Sequence, residues 1–145
     1  MKVSEAMTRD VQLAHAMQSI QEAARLMAEI DAGALPVADD DRLIGVITDR
    51  DIAVRAVAEG KLPSTQVGDV MSREVLYCYE DQDLDDVAKN MGDVKVRRLP
   101  VVSRDKRLVG IISLGDVAHC ESSATTGQTV AEISEPGGEH SQKPH

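Results

Sequence analysis

Two pairs of side chains in this sequence combine a hydroxyl with a carboxylate three residues later. Thr48 precedes Asp51, and Ser113 precedes Asp116, each directly after a short aliphatic run that contains a glycine. A carboxylate at such a position can accept hydrogen bonds from both hydroxyls of a ribose, and the neighbouring hydroxyl can face a phosphate. The plainer alternative is that Asp49 or Asp51 only caps a helix. The occurrence of two pairs at equivalent positions favours a ligand site.

A second feature that could do chemistry is the adjacent pair Arg97 and Arg98, directly before the segment Leu-Pro-Val. Guanidinium groups bind phosphate oxygens through charge-assisted, forked hydrogen bonds. The chain has 25 acidic and 16 basic residues and a net charge of -9. The positive charges of two adjacent arginines must therefore be balanced by acidic side chains or by a ligand. The alternative is a solvated basic patch beside Lys95. We expect the two arginines to bind a phosphorylated ligand.

Both features lie within an internal repeat. Residues 3–8, VSEAMT, match residues 67–72, VGDVMS, and RLIGVIT at 42–48 matches RLVGIIS at 107–113. Matches at several separated points indicate a duplicated supersecondary unit. The sequence therefore predicts a first repeat over residues 1–60, a linker over 61–66, a second repeat over 67–120, and a C-terminal tail over 121–145 that is mostly flexible.

Each copy of the repeat has the pattern of a helix, two short strands and a second helix. In copy one, Ser19 opens a capping box ahead of apolar residues at helical spacing, and Gly33 is placed to stop that helix. After the strands, Asp49 can cap the second helix. Copy two repeats this order, with Asp83 or Asp81 as its first cap. The predicted fold class is α/β (α+β), with one small sheet and two helices in each repeat.

The composition argues against several classes of function. A net charge of -9 repels nucleic acid and anionic membranes, and the longest aliphatic runs are far too short to span a bilayer. Cys78 and Cys120 form neither a CxxC pair nor a metal-ligand pattern with the four histidines. No recognisable catalytic motif combines a nucleophile with a base. We expect a cytoplasmic protein that binds no nucleic acid, membrane or metal, and that is not an enzyme.

The order of these segments resembles tandem CBS domains, the paired repeats of a Bateman module. The resemblance covers roughly residues 1–120 and is carried by SEAMT and GDVMS, and by ALPVADDDRLIGVITDRDIA and RLPVVSRDKRLVGIISLGDVA. The first long segment is also similar to stand-alone bacterial CBS-pair proteins of the hypoxic response type. The resemblance implies two sheets packed about a pseudo-twofold axis and two clefts for AMP, ADP, ATP, NAD or S-adenosylmethionine. It also implies a homodimer of CBS pairs.

The resemblance further implies that each cleft combines residues of both copies. The first cleft would contain Thr48, Arg50, Asp51, the apolar wall Val75, and Arg97 with Arg98. The second would contain Ser113, Asp116, the wall Val11, and Gly33 with Ala34. Because the second cleft lacks the arginines, and because Leu114 and Gly115 replace Asp49 and Arg50, we expect a phosphorylated ligand in the first.

The leading hypothesis is therefore a sensor that binds an adenine nucleotide, requires no other cofactor and signals to an unidentified effector protein. One alternative is a dimerisation or scaffold module whose clefts are vestigial. A second is a nucleotide-hydrolysing enzyme, which turnover of ATP or NAD by the purified protein would support.

Overall fold

The computed structural model describes residues 1–120 and 131–133. Short helices and strands alternate along them, which confirms the predicted mixture of helices and small sheets. In chain order the elements are α1 (Val3–Ala6), α2 (Ile20–Ile30), β1 (Ala34–Asp39), β2 (Arg42–Thr48), α3 (Asp49–Asp51) continued by a π-helix (Ile52–Val57), α4 (Val67–Val70), β3 (Cys78–Tyr79), α5 (Leu84–Val94), β4 (Arg98–Val102), β5 (Leu108–Ser113) and α6 (Leu114–Cys120). Within these residues, no helix has the length and apolar character needed to cross a membrane.

The described chain divides into two compact units, and each unit draws on both copies of the repeat. Unit A contains Gln12–Val75 and Lys106–Leu108. Unit B contains Met1–Val11, Leu76–Asp105 and the described residues from Val109 onward. The opening helix of each copy, α1 or α4, thus belongs to the unit that holds the body of the other copy. The units are defined by spatial contacts. The predicted limits of the repeats, at residues 60 and 67, describe the sequence and remain a prediction.

In unit A, β1 and β2 form an antiparallel hairpin. Ala34 pairs with Thr48 and Leu35 pairs with Ile47, so the end of β2 lies beside the start of β1. The strands and α2 bury aliphatic side chains against each other, as their alternating and helical spacings dictate. The buried cluster comprises Ala14, Ile20, Ala23, Met27, Leu35, Val37, Ile47, Ala56, Val67, Val70 and Met71.

In unit B, three strands pair in the order β3-β4-β5, with β3 parallel to β4. Asp83 caps α5, which confirms one of the two predicted caps. The first residues of the chain are tied to the start of α5, because the Leu84 N–H donates to the Met1 carbonyl at 2.8 Å. The buried cluster comprises Val3, Met7, Cys78, Leu84, Val87, Ala88, Met91, Leu99, Val101, Ile112 and Val117.

Gly45 in β2 and Gly110 in β5 allow a short helix to end directly against each strand. A Cβ at Gly45 would lie 2.7 Å from the Ser72 carbonyl oxygen, and one at Gly110 would lie 2.9 Å from that of Thr8. The residue after each glycine exchanges two backbone hydrogen bonds of 2.9 Å with Ser72 or Thr8. The same contact therefore joins the end of a short helix to β2 in unit A and to β5 in unit B.

The structure confirms one predicted helix boundary in copy one and corrects two. Ser19 is the N-cap of α2, as predicted. The helix ends at Asp31, in the left-handed conformation with φ 54°, and not at Gly33. A short polar side chain tolerates this conformation better than most. The second helix is capped by Thr48, so the prediction that Asp49 caps it is wrong.

Three residues of the predicted C-terminal tail are described. Residues 131–133 form a helical turn in unit B, where Ile133 is buried and the Glu132 side chain lies over Gly92 of α5. The other residues of the tail, and with them most of the prediction that it is flexible, lie outside the described residues.

Candidate functional site

The hydroxyl and carboxylate of copy one form a reciprocal capping box at the junction of β2 and α3. The Asp51 N–H donates to Thr48 Oγ1 at 3.0 Å, and the Thr48 N–H donates to Asp51 Oδ2 at 3.0 Å. Two backbone donors that the first helical turn leaves unpaired are thereby satisfied. The Asp51 side chain stays 17% exposed, so the box is also accessible from solvent.

Copy two contains the same box with nearly the same dimensions. The Asp116 N–H donates to Ser113 Oγ at 3.1 Å, and the Ser113 N–H donates to Asp116 Oδ2 at 3.0 Å. Ser113 therefore caps α6, although Leu114 stands where copy one has Asp49. Both pairs therefore cap a helix, as the alternative interpretation predicted. Capping leaves carboxylate lone pairs unused, since an ionised carboxylate has about four acceptor positions.

The segment that precedes β1 lies directly beside the copy-one box. The Asp49 N–H donates to the Gly33 carbonyl at 2.9 Å, and Ala34 pairs with Thr48. A Cβ on Gly33 would lie 3.1 Å from Asp49 Oδ2, so the carboxylate of Asp49 covers this glycine. Arg50 follows with an exposed side chain. The predicted second-cleft residues Gly33 and Ala34 thus lie in the same unit as Thr48.

The equivalent segment of copy two carries the two arginines. The Leu114 N–H donates to the Arg97 carbonyl at 2.9 Å, so Arg97 and Arg98 lie near the start of α6, and both are exposed. Val11 belongs to this unit, whereas the half-buried Val75 belongs to unit A with Thr48 and Asp51. The predicted assignment of Arg97 and Arg98 to the copy-one cleft joins residues of different units and stays a prediction.

Arg55 lies beside the copy-one box and was not among the site residues predicted from the sequence. Nη1 of Arg55 lies 4.0 Å from Asp51 Oδ1 and donates to the carbonyls of Val70 and Met71 at 3.2 and 3.3 Å. The signal that could have revealed the first contact is the four-residue spacing from Asp51, which places two side chains on one helix face. In copy two, Cys120 stands four residues after Asp116.

The two tyrosines of the chain form a cluster in unit B. The Tyr77 and Tyr79 rings meet edge to face, with centroids 5.7 Å apart. The Arg104 guanidinium lies 4.2 Å from the centroid of Tyr79 and pairs with Asp81 at 2.8 Å. The hydrogen bond from Arg104 lowers the pKa of Asp81. One face of the Tyr79 ring is therefore already covered.

Neither cysteines nor metal ligands form a second centre within residues 1–120 and 131–133. Both cysteines are free, and burial raises the pKa of the Cys78 thiol to about 12. Across this part of the chain, no group of three histidine, cysteine, aspartate or glutamate side chains is placed to hold a metal ion. The two capping boxes and their neighbouring arginines are thus the best candidates for a functional site.

Comparison with known proteins gives one family for both copies. The family model of the CBS domain matches residues 3–57 and 67–122. The CBS domain-containing protein YhcV of Bacillus subtilis is 40% identical over 133 residues, which cover 91% of this chain and 94% of YhcV.

Two solved structures extend the similarity to three dimensions. The structure of Hypoxic Response Protein I, described with two coordinated zinc ions, has a TM-score of 0.74 and 34% identity. The match covers 84% of this chain and 100% of that protein. CBSX2 in complex with AMP has a TM-score of 0.72 and 30% identity, covering 81% of this chain and 93% of CBSX2.

Proposed function

This chain belongs to the CBS domain family, and we propose that it is a regulatory module that binds an adenine nucleotide at the capping box of copy one. The observation that carries the proposal is the Thr48 and Asp51 box, in which a partly exposed carboxylate is held in a fixed orientation. A structural relative bound to AMP supports this choice of ligand.

Asp51 has the features that recognition of a ribose requires. One oxygen, Oδ2, accepts the Thr48 N–H, so the orientation of the carboxylate is set before a ligand arrives. The other oxygen and the remaining lone pairs can accept the 2′- and 3′-hydroxyls of a ribose. Preorganisation of this kind lowers the entropic cost of binding. In this proposal Asp51 selects the sugar, and it contributes equally to binding of a nucleoside and a nucleotide.

The phosphate is assigned to the arginines. Arg50 is exposed one residue before Asp51, and the family resemblance adds Arg97 and Arg98 to the same site. Guanidinium groups bind phosphate through paired, charge-assisted hydrogen bonds. In the second site, glycine or alanine stands at all three positions, namely Gly115, Gly33 and Ala34. We therefore propose that a phosphorylated ligand prefers the copy-one site.

Self-association of the chain is the second part of the proposal. On the π-helix, Val54 and Val57 are 46% and 68% exposed, whereas Ala56 of the same helix is buried in the core. A second copy of the chain would remove these side chains from water, as a twofold homodimer of CBS pairs implies. Binding of the nucleotide would then shift the conformational equilibrium of the dimer, and an effector protein would bind one of the conformations preferentially.

A calorimetric screen tests the proposed function. AMP, ADP, ATP, NAD and S-adenosylmethionine are each titrated into the purified chain, with GMP as a control for the base. We expect saturable binding of at least one adenosine ligand and none of GMP. Absence of binding by all five ligands at millimolar concentration, with the protein shown to be folded by circular dichroism, would overturn the proposal and favour the scaffold alternative. Release of ADP from ATP would instead favour an enzyme.

A further inference from the structure

A single arginine links the copy-one box to the backbone that follows α4. Nη1 of Arg55 donates to the carbonyl oxygens of Val70 and Met71, at 3.2 and 3.3 Å, and faces Asp51 Oδ1 at 4.0 Å. The carbonyls at the end of a helix have no partner within the helix, so Arg55 caps α4 through its side chain. All of these residues belong to unit A.

The contacts around Asp51 form a closed ring that begins and ends on β2, and we call this ring the circuit. Beyond Met71, the backbone of Ser72 exchanges two hydrogen bonds of 2.9 Å with Val46, which lies in β2 two residues before Thr48. The path from Thr48 through Asp51, the Arg55 guanidinium and α4 therefore returns to the strand that carries Thr48. Because the circuit is closed, the position of the carboxylate is coupled to that of the segment that leads from Ser72 to Val75.

The contact between Arg55 and Asp51 serves position more than stability. Its 4.0 Å length and the 53% exposure of the arginine side chain make it a weak ion pair. The two hydrogen bonds to carbonyls are shorter, and they hold the charge in front of Oδ1. Oδ2 is already held by the Thr48 N–H. Each oxygen of the carboxylate thus faces one fixed group.

Copy two repeats every part of this circuit except the arginine. Thr8 and Ile111 exchange the same pair of 2.9 Å backbone bonds, and Ser113 and Asp116 form the same box. Cys120 occupies the position of Arg55, and it has neither a charge nor an N–H donor in its side chain. The two sites therefore differ within their own units as well as in the arginines assigned to phosphate.

We propose that Arg55 is the positioning residue of the copy-one site. It fixes the Asp51 carboxylate relative to the segment after α4, and so sets the preference of the site for a ribose over a deoxyribose. This inference rests on the proposed function, because it assumes that Asp51 binds the sugar. Arg55 itself does not touch the ligand.

The test compares AMP with 2′-deoxy-AMP by calorimetry in the wild-type chain, Arg55→Ala and Arg25→Ala. Arg25 is an exposed arginine on α2 of the same unit, and its substitution is the control. In the wild type we expect AMP to bind about tenfold more tightly than 2′-deoxy-AMP, because one hydrogen bond to a charged acceptor is lost. In Arg55→Ala we expect this ratio to fall below about threefold, while Arg25→Ala keeps it.

The ratio of the affinities for AMP and 2′-deoxy-AMP separates positioning from a general loss of structure, because a loss of structure would weaken the binding of both ligands equally. A wild-type ratio in Arg55→Ala, with or without weaker binding of both ligands, would overturn the inference and leave the proposed function standing. Should the wild type bind another of the five ligands but not AMP, that ligand and its 2′-deoxy form take the place of AMP. Failure to bind any of the five would remove both the inference and the proposed function. Should Arg55→Ala not fold, Arg55→Gln takes its place, since an amide can still donate to one carbonyl at the end of α4. The ratio should again fall below about threefold, and an unchanged ratio would contradict the inference.

Discussion

The capping boxes of the two copies are alike in geometry and unlike in their surroundings. Their hydrogen bonds agree within 0.1 Å, at 3.0 and 3.0 Å in copy one and 3.0 and 3.1 Å in copy two. The sequence beside them differs, with Arg50 and Arg55 in copy one and Gly115 and Cys120 in copy two. Each box caps a helix, and each leaves carboxylate lone pairs for a ligand. The choice of one box over the other as the ligand site therefore depends on its neighbours.

This difference has a practical use, because each site is the control for the other. We expect a substitution that removes a cap to have the same consequence for helix capping in both copies. An effect that appears in one copy alone then reports on the ligand.

The largest effect is expected from removal of the copy-one carboxylate. Asp51→Ala should weaken both AMP and adenosine by roughly a hundredfold, because two hydrogen bonds between ribose hydroxyls and a charged acceptor are lost. Asp116→Ala, which removes the same cap in copy two, should change the affinity of the tighter site by less than about threefold. Calorimetry measures both. Loss of binding in Asp116→Ala alone would assign the working site to copy two.

The next effect concerns the phosphate. Arg97→Ala/Arg98→Ala should lower the affinity for AMP by at least about tenfold and leave the affinity for adenosine unchanged, because only the charged hydrogen bonds to phosphate are removed. Arg25→Ala on α2 controls for the general change of charge. Equal binding of AMP by the parent and the double variant would exclude these arginines from the site.

An effect of about the same size is expected on self-association. At micromolar concentration, static light scattering should give the mass of a dimer. Val54→Glu/Val57→Glu should raise the dimer dissociation constant by about tenfold or more, because a buried unpaired charge opposes the contact. His119, at the position of Val54 in copy two, is polar and exposed, so His119→Glu is the matched control. A monomeric wild type would contradict the predicted homodimer.

The smallest effect tests whether the two boxes are structurally equivalent. Thr48→Ala and Ser113→Ala should each lower the free energy of unfolding by about 1 kcal/mol, the usual contribution of an N-cap side chain. Urea denaturation without ligand measures both. A difference between the two variants of more than about 1 kcal/mol would mean that the boxes are not equivalent caps, and the comparison between copies would lose its control.

Features that depend on neighbours in sequence were predictable. The bonds of each capping box span three residues, so the spacing of Thr48 and Asp51 already determines what they can do to each other. The caps Ser19 and Asp83 also bond to backbone within three residues, and the apolar periodicity of the first helices is confirmed by their buried faces. The prediction of Asp49 as a cap was wrong because a carboxylate and a hydroxyl compete for that role at adjacent positions.

Features that join distant segments were not predictable from periodicity. Arg55 reaches carbonyls 15 and 16 residues away, and nothing in the local pattern distinguishes it from an exposed helical arginine. The bonds that join the first residues of the chain to unit B include those between Thr8 and Ile111, which are separated by most of the chain. Such contacts are set by tertiary packing. The prediction that each cleft combines residues of both copies came from the family resemblance and not from the spacing of residues.

The most direct test of the central claim is to follow backbone amide resonances of the isotopically labelled chain during titration with AMP. The amide hydrogens of Thr48 and Asp51 are both donated to the side chains of the box, so a ligand that engages the carboxylate must change their chemical shifts. We predict that these two amides shift at lower AMP concentrations than the amides of Ser113 and Asp116. If the amides of Ser113 and Asp116 shift first, or if none of the four amides shifts at saturating AMP, the claim that AMP binds at the copy-one box is contradicted.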